Sequence, residues 1–129
     1  MSRTVLVVDD SMLIRHTVCR FLEQRGFTVE SASDGAEAMQ LLEHLQPTLI
    51  VTDLTMPRMG GSELISRLRS RPETSSIPIV VLAGRAAVDG MPAETRADFV
   101  IYKDIDIVEQ LQRALEQAVP ASLPAGLQS

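Results

Sequence analysis

Residues 48–61 read TLIVTDLTMPRMGG, an apolar run that stops at a carboxylate and gives way to a loop built on proline and glycine. Leu49, Ile50 and Val51, bounded by Pro47 and Pro57, have the length and β-branched character of a strand buried on both faces. Asp53 then falls at the strand's carboxyl end, the edge where open α/β sheets bind ligands because the loops leaving the strands part there. Two readings fit this motif alone. Asp53 performs chemistry in that crevice, or it caps the turn that follows it, as aspartate commonly does.

Working outward, the same grammar recurs. Thr4 to Val8 is an apolar run that ends at Asp9 and Asp10, a first buried strand with acids at its carboxyl end. Ser11 to Arg25 places Ile14, Val18, Phe21 and Leu22 on one helical face, with Gly26 as the stop. Arg15, His16 and Glu23 fall on the wet side of that helix. Phe27 to Ala32 alternates apolar and polar residues, the pattern of a partly exposed edge strand. Asp34 and Glu37 resemble a capping box for a helix that carries Ala38, Met39, Leu42 and Leu45 inward and runs to Pro47. Gly61 to Arg69 is a third amphipathic helix, with Arg67, Arg69 and Arg71 on its solvated face.

Pro78 opens a fourth strand through Leu82, and Phe99 to Tyr102 gives a fifth that ends at Lys103. Between them Gly84, Gly90 and Pro92 interrupt any helix, since glycine costs roughly 1 kcal/mol and proline about 3 in a helix interior. Asp106, with Glu109 after it, caps a last helix whose face is Ile107, Val108, Leu111, Leu115 and Ala118. Residues 120–129 contain too little apolar material to pack and read as a flexible tail after a domain of residues 1–119. Strands alternating with helices in this way specify a doubly wound α/β fold, a five-stranded parallel sheet with helices on both faces.

Composition narrows the function. The chain has 129 residues, 45% hydrophobic and 22% charged, as expected of one domain with a true core. A net charge of −5 argues against a nucleic-acid or anionic-membrane footprint and for protein partners. The apolar run at the N-terminus is too short for a signal peptide or a membrane span, so a cytoplasmic protein is expected. Cys19 is the only cysteine; it excludes an internal disulfide and reads as a small buried hydrophobe. His16 and His44 lie among polar neighbours with no second imidazole at ligand spacing, the pattern of solvated side chains.

Sheet geometry gathers the strand-end groups Asp9, Asp10, Asp53 and Lys103 at one edge. Carboxylates packed together repel, so keeping all of them ionised requires a cation. Their hard oxygens suit Mg²⁺, which keeps several waters and takes further oxygens from an incoming phosphate. Lys103 would then face the phosphate as a point charge.

VVDDS at 7–11, DLTMPRMGG at 53–61 and YK at 102–103, in this order and approximate spacing, resemble the receiver domain of bacterial two-component response regulators of the chemotaxis-regulator type, from Arg3 to about Val119. The resemblance implies a flavodoxin-like fold with strand order 2-1-3-4-5. It also implies that Asp53 is the phosphoacceptor, that Asp9, Asp10, Asp53 and the Thr55 backbone carbonyl hold Mg²⁺, and that Lys103 binds the phosphoryl oxygens. The phosphodonor would be a histidine kinase or histidine phosphotransfer protein, and output would pass by protein contact to an unnamed partner. Such a domain is a signalling phosphoacceptor, not an enzyme beyond its own phosphoryl transfer and autodephosphorylation.

Four positions depart from the family pattern. Ala83 stands where Thr or Ser is usual, Val100 where an aromatic is usual (with Phe99 and Tyr102 displaced from it), Asp104 in place of proline and Gly60 in place of an acid or Asn. Ala83 and Val100 are the altered switch positions, and they favour the alternative of a pseudo-receiver that binds partners without using phosphorylation. An aspartate-nucleophile phosphohydrolase would resemble DxDx(T/V), but Thr55 occupies the position of its general acid. A dinucleotide site fails for lack of GxGxxG after the first strand.

Overall fold

The apolar runs at 4–8, 49–53 and 79–83 pair side by side in parallel, because each is too apolar to leave either face in water. The structure, a computed structural model, describes residues 3–91 and 97–119. Its elements are β1 (Thr4–Val8), α1 (Met12–Glu23), β2 (Thr28–Ala32), α2 (Gly35–Leu41), β3 (Leu49–Asp53), α3 (Gly61–Arg69), β4 (Ile79–Ala83), α4 (Arg85–Asp89), β5 (Phe99–Tyr102) and α5 (Ile107–Ala118). The strands lie in the order β2-β1-β3-β4-β5. This is the doubly wound α/β architecture and the strand order expected from the sequence, with β2 at an edge. The expected tail, residues 120–129, lies outside the described residues.

Strand alternation divides the core in two. On one face Val5, Val7, Leu49, Val51, Val80, Leu82 and Ile101 meet Val18, Phe21 and Leu22 of α1 and Leu111 and Leu115 of α5. On the other, Leu6, Val8, Ile50, Ile79, Val81 and Ala83 meet Ala38 of α2 and Leu64, Ile65 and Leu68 of α3. Both clusters are buried, which makes apolar burial the main force holding the strand ends in place. Register then aligns the ends: Val8 is paired with Thr52, Asp53 with Leu82, and Ala83 with Tyr102.

The caps expected at Asp34 and Asp106 are present, and Ser11, expected to be the first residue of its helix, is a cap as well. Ser11 accepts from the Ile14 N–H and Asp106 from the Glu109 N–H, each fixing an otherwise unpaired donor in a first turn. Asp34 Oδ1 accepts from the Glu37 N–H at 2.8 Å. Glu37 returns to the Ser33 N–H at 2.8 Å rather than to Asp34, one residue earlier than a capping box. The Ser33 hydrogen bonds hold the exposed Glu37 carboxyl below its ordinary value.

Some expectations need correction. The second helix ends at Leu41, not at Pro47. Beyond it the N–H groups of Glu43 and His44 reach back only three residues, to Gln40 and Leu41, so the chain tightens into turns. Leu42 and Leu45 still pack against the core from there. Arg69 is not a solvated side chain: it donates to the carbonyls of Ser75 and Ile77 at 2.8 and 2.9 Å and pairs with Asp98 at 2.8 Å. Arg67 pairs with Glu63 on the exposed face as expected. Cys19 is half-buried against the α1–α5 core, not fully buried, and burial pushes its thiol up. The weak region after β4 holds a helix of five residues, α4, with no buried residue.

Candidate functional site

The three acids expected to converge do so. Asp9, Asp10 and Asp53 each offer a carboxylate oxygen within 4.8 Å of the others. Asp9 and Asp53 are buried and Asp10 is exposed, so the cluster opens to solvent on one side. Asp9 follows β1 and its N–H is fixed by the Ala32 carbonyl at 3.1 Å. Its Oδ1 accepts from the Ser11 N–H at 2.8 Å, which orients the carboxylate. Asp53 is the last residue of β3, and its Oδ1 lies 3.4 Å from the Thr55 N–H.

Lys103 joins them. Its Nζ lies 3.0 Å from Asp9 Oδ2 and 3.1 Å from Asp53 Oδ2, and its N–H donates to the Ala83 carbonyl at 2.9 Å, continuing the β4–β5 ladder. Burial pushes the Asp53 carboxyl up to about 6, Asp9 adds to the rise, and Lys103 and the Thr55 N–H only partly oppose it. Burial also pulls the Lys103 ammonium down, but the two carboxylates outweigh burial and leave it above its ordinary value. Asp53 is thus ionised for the most part at neutral pH, though held reluctantly so.

A hard dication fits this set. Asp9 Oδ2 is buried, and although it meets the Lys103 charge at 3.0 Å it receives no well-directed hydrogen bond. A buried carboxylate oxygen left in that state has a lone pair available to a cation. Carboxylate oxygens in a cluster open to water are the donors that Mg²⁺ prefers. Thr55, whose carbonyl was expected to join, is an exposed residue of the β3–α3 loop.

That loop is tied down on its far side. Arg58, left-handed at φ 65, pairs with Asp34, whose side chain is 1% exposed while that of Arg58 is 68% exposed. The Gly35 N–H donates to the Met59 carbonyl at 3.0 Å. At Gly61 a Cβ would sit 2.1 Å from the Asp53 carbonyl, so only glycine lets α3 begin this close to the strand end. The sequence carried no signal for the Arg58–Asp34 pair, since nothing in spacing ties a loop to a helix start far upstream. Arg15, read as solvated, instead donates to the Asp9 carbonyl at 2.7 Å; helical spacing gives a residue's face but not the reach of its side chain.

The departures from the family pattern also have places. Ala83 is buried at the end of β4 and faces the α2–α3 core. Val100 is half-buried against that same core, whereas Phe99 packs against the α1–α5 core. Tyr102 shares Val100's face by alternation and lies beneath the guanidinium of Arg85, 4.8 Å from the ring centroid.

The response regulator receiver domain family matches residues 5–116. The chain belongs to that family. The receiver is 37% identical over 115 residues to response regulator MprA of Mycobacterium ulcerans, covering 88% of this chain and 49% of that protein, so it spans about half the length of such relatives. An uncharacterized 14.6 kDa protein of Leptolyngbya boryana is 36% identical over 110 residues, 84% of each chain. Among solved structures, chemotaxis response regulator CheY4 of Vibrio cholerae superposes with a TM-score of 0.82 at 28% identity, covering 92% of the receiver and 100% of that chain. Receiver domains of two-component systems interact with histidine kinases and bind Mg²⁺ at an acidic site. No helix among the described residues is long and apolar enough to cross a membrane.

Proposed function

We propose that the protein is a cytoplasmic response regulator that accepts a phosphoryl group on Asp53 from a histidine kinase or histidine phosphotransfer protein and passes the signal on by protein contact. The observation that carries the reading is the Lys103 ammonium spanning Asp9 and Asp53 at 3.0 and 3.1 Å inside a three-carboxylate cluster. One Asp53 oxygen attacks phosphorus, the P–N bond to the donor imidazole breaks, and the imidazole nitrogen keeps the bonding pair and is protonated. Positioning and charge neutralisation carry most of such a transfer. Lys103 steadies the phosphoryl oxygens as a point cation, while Asp9, Asp10, Asp53 and the Thr55 carbonyl would hold Mg²⁺. When bound, Mg²⁺ supplies two positive charges beside those oxygens. Met12 and Leu13, each 74% exposed, and Ile105, 56% exposed, directly follow the Asp10 and Lys103 segments. Exposed apolar side chains this close in sequence to Asp10 and Lys103 favour a protein phosphodonor over a free small molecule.

Incubation with a small acyl phosphodonor and Mg²⁺, read by intact mass, tests the acceptor. Wild type gains one phosphate, and Asp53→Asn or chelation of the metal prevents it. Equal labelling of wild type and Asp53→Asn would remove Asp53 from this role. Ala83 and Val100 support a second reading, a pseudo-receiver that binds its partner without phosphate; absence of label on wild type under every donor would favour it.

A further inference from the structure

Arg85 opens α4 and rests its guanidinium on the face of Tyr102. Tyr102 precedes Lys103 in sequence and is paired with Ala83 across the sheet, which sets the Arg85 side chain at the same edge as the carboxylate cluster. Arg85 is exposed, and no carboxylate among the described residues forms an ion pair with it. The neighbouring guanidiniums are engaged, Arg15 with the Asp9 carbonyl and Arg58 with Asp34.

Charge decides what Arg85 is for. A dication and Lys103 together neutralise Asp9, Asp10 and Asp53. Phosphorylation then exchanges the single charge of Asp53 for a group carrying about two negative charges near neutral pH, so roughly one charge is unmatched at the open edge. The Ala83 methyl offers that group no donor. A guanidinium offers a fork of donors that fits phosphoryl oxygens, and charge-assisted hydrogen bonds exceed an exposed cation–π contact in strength.

We propose that Arg85 is a second phosphoryl-binding cation, which leaves the Tyr102 ring when Asp53 is phosphorylated and closes on the phosphoryl oxygens, so that occupancy of Asp53 uncovers Tyr102. The inference rests on the acceptor role given to Asp53. Arg85 has differential contact with the two states, and only such contact shifts a conformational equilibrium. The uncovered ring at the β5 edge then becomes surface that a partner protein reads.

Tyr102 is the only tyrosine and the chain has no tryptophan, so intrinsic emission reports this ring alone. Mg²⁺ with beryllofluoride, a phosphoryl mimic, is titrated while fluorine NMR follows bound fluoride in the same sample. In wild type, bound fluoride and a change in Tyr102 emission rise together. Arg85→Ala starts with the emission of the bound wild type, shows no further change, and binds the mimic about tenfold more weakly, equivalent to about 1.4 kcal/mol. Arg85→Lys, which keeps the charge, recovers part of that affinity. Arg113→Ala, which removes an exposed arginine paired with Glu109 on α5, behaves as wild type. Bound fluoride with unchanged emission, or an Arg85→Ala affinity equal to wild type, overturns the inference and leaves the acceptor reading standing. If wild type shows no bound fluoride, both fall together.

Discussion

β3 and β4 lie side by side and end in opposite ways. β3 ends in a buried carboxylate, locked by Lys103, by Gly61 against its own carbonyl and by a loop pinned through Arg58 to Asp34. β4 ends in a methyl group, an exposed glycine and a five-residue helix in which no residue is fully buried. The first region concentrates charge in a rigid frame, which favours chemistry. The second has little packing to resist movement, and such segments open at low free-energy cost. On the proposed function, phosphoryl capture and phosphoryl response are thus separable properties, and each can be attacked by itself.

The largest effect is expected at Lys103. Lys103→Met removes the cation between Asp9 and Asp53 and should lower affinity for a phosphoryl mimic by about a hundredfold, measured by titration, because hydrogen bonds to charged groups contribute roughly 1.5 to 3 kcal/mol each. It should also lower stability at neutral pH by about 2 to 3 kcal/mol, below the usual cost of breaking a fully buried pair because Lys103 is partly exposed. The raised Lys103 value means that its stabilisation is complete at neutral pH and is lost only as pH rises through that value. Denaturant melts from pH 6 to 11 would therefore converge for wild type and variant only at the alkaline end.

Asp53→Asn should act in the opposite direction. Asp53 is raised from 3.8 to about 6 in the fold, so the folded state favours its protonated form. That favourable contribution is fully present below about pH 4 and is lost as pH rises through 6. At pH 7.5 an uncharged amide should stabilise the metal-free protein by about 1 to 2 kcal/mol, discounted for the solvent-open edge. Below pH 4 the gain should vanish, and a gain independent of pH would contradict the burial argument.

Arg58→Ala tests the frame of the β3 end. It leaves the buried Asp34 with the Glu37 N–H as its remaining hydrogen bond, and stability should fall by about 1 kcal/mol because Arg58 itself is mostly exposed. Mg²⁺ titration should show weaker binding if the pinned loop positions Thr55. Ala83→Thr tests the β4 end; because Ala83 is buried against the α2–α3 core, the larger side chain should lower stability by about 1 kcal/mol. In wild type, beryllofluoride should shift amide signals at 53–61, 83–85 and 102–104. The threonine should extend those shifts through 86–91 and 97–101. Extensive shifts in wild type, with nothing added by threonine, would erase the contrast between the two strand ends.

The contrast was half legible in the sequence. Strand runs, caps at Asp34 and Asp106, and acids at strand ends are local signals, and parallel pairing carries them directly into the converged cluster of Asp9, Asp10, Asp53 and Lys103. Ala83 and Val100 were legible as departures. The long-range ties were not. Arg69 to Asp98, Arg58 to Asp34 and Arg15 to the Asp9 carbonyl join residues whose sequence spacing has no periodic meaning. A long guanidinium stem on an amphipathic face reads as solvated until the neighbouring loop is in place. The expected second helix is too long because its apolar stripe continues past Leu41 through turns from which Leu42 and Leu45 still pack against the core.

Three carboxylates share the site, and Asp53 is the one proposed to take the phosphoryl group. Borohydride reduces an aspartyl acyl phosphate to homoserine, so phosphorylated protein can be reduced, digested and sequenced by mass spectrometry. Homoserine at position 53, with intact aspartate at positions 9 and 10, is the predicted result. Homoserine at position 9 or 10 would contradict the assignment of Asp53 as acceptor.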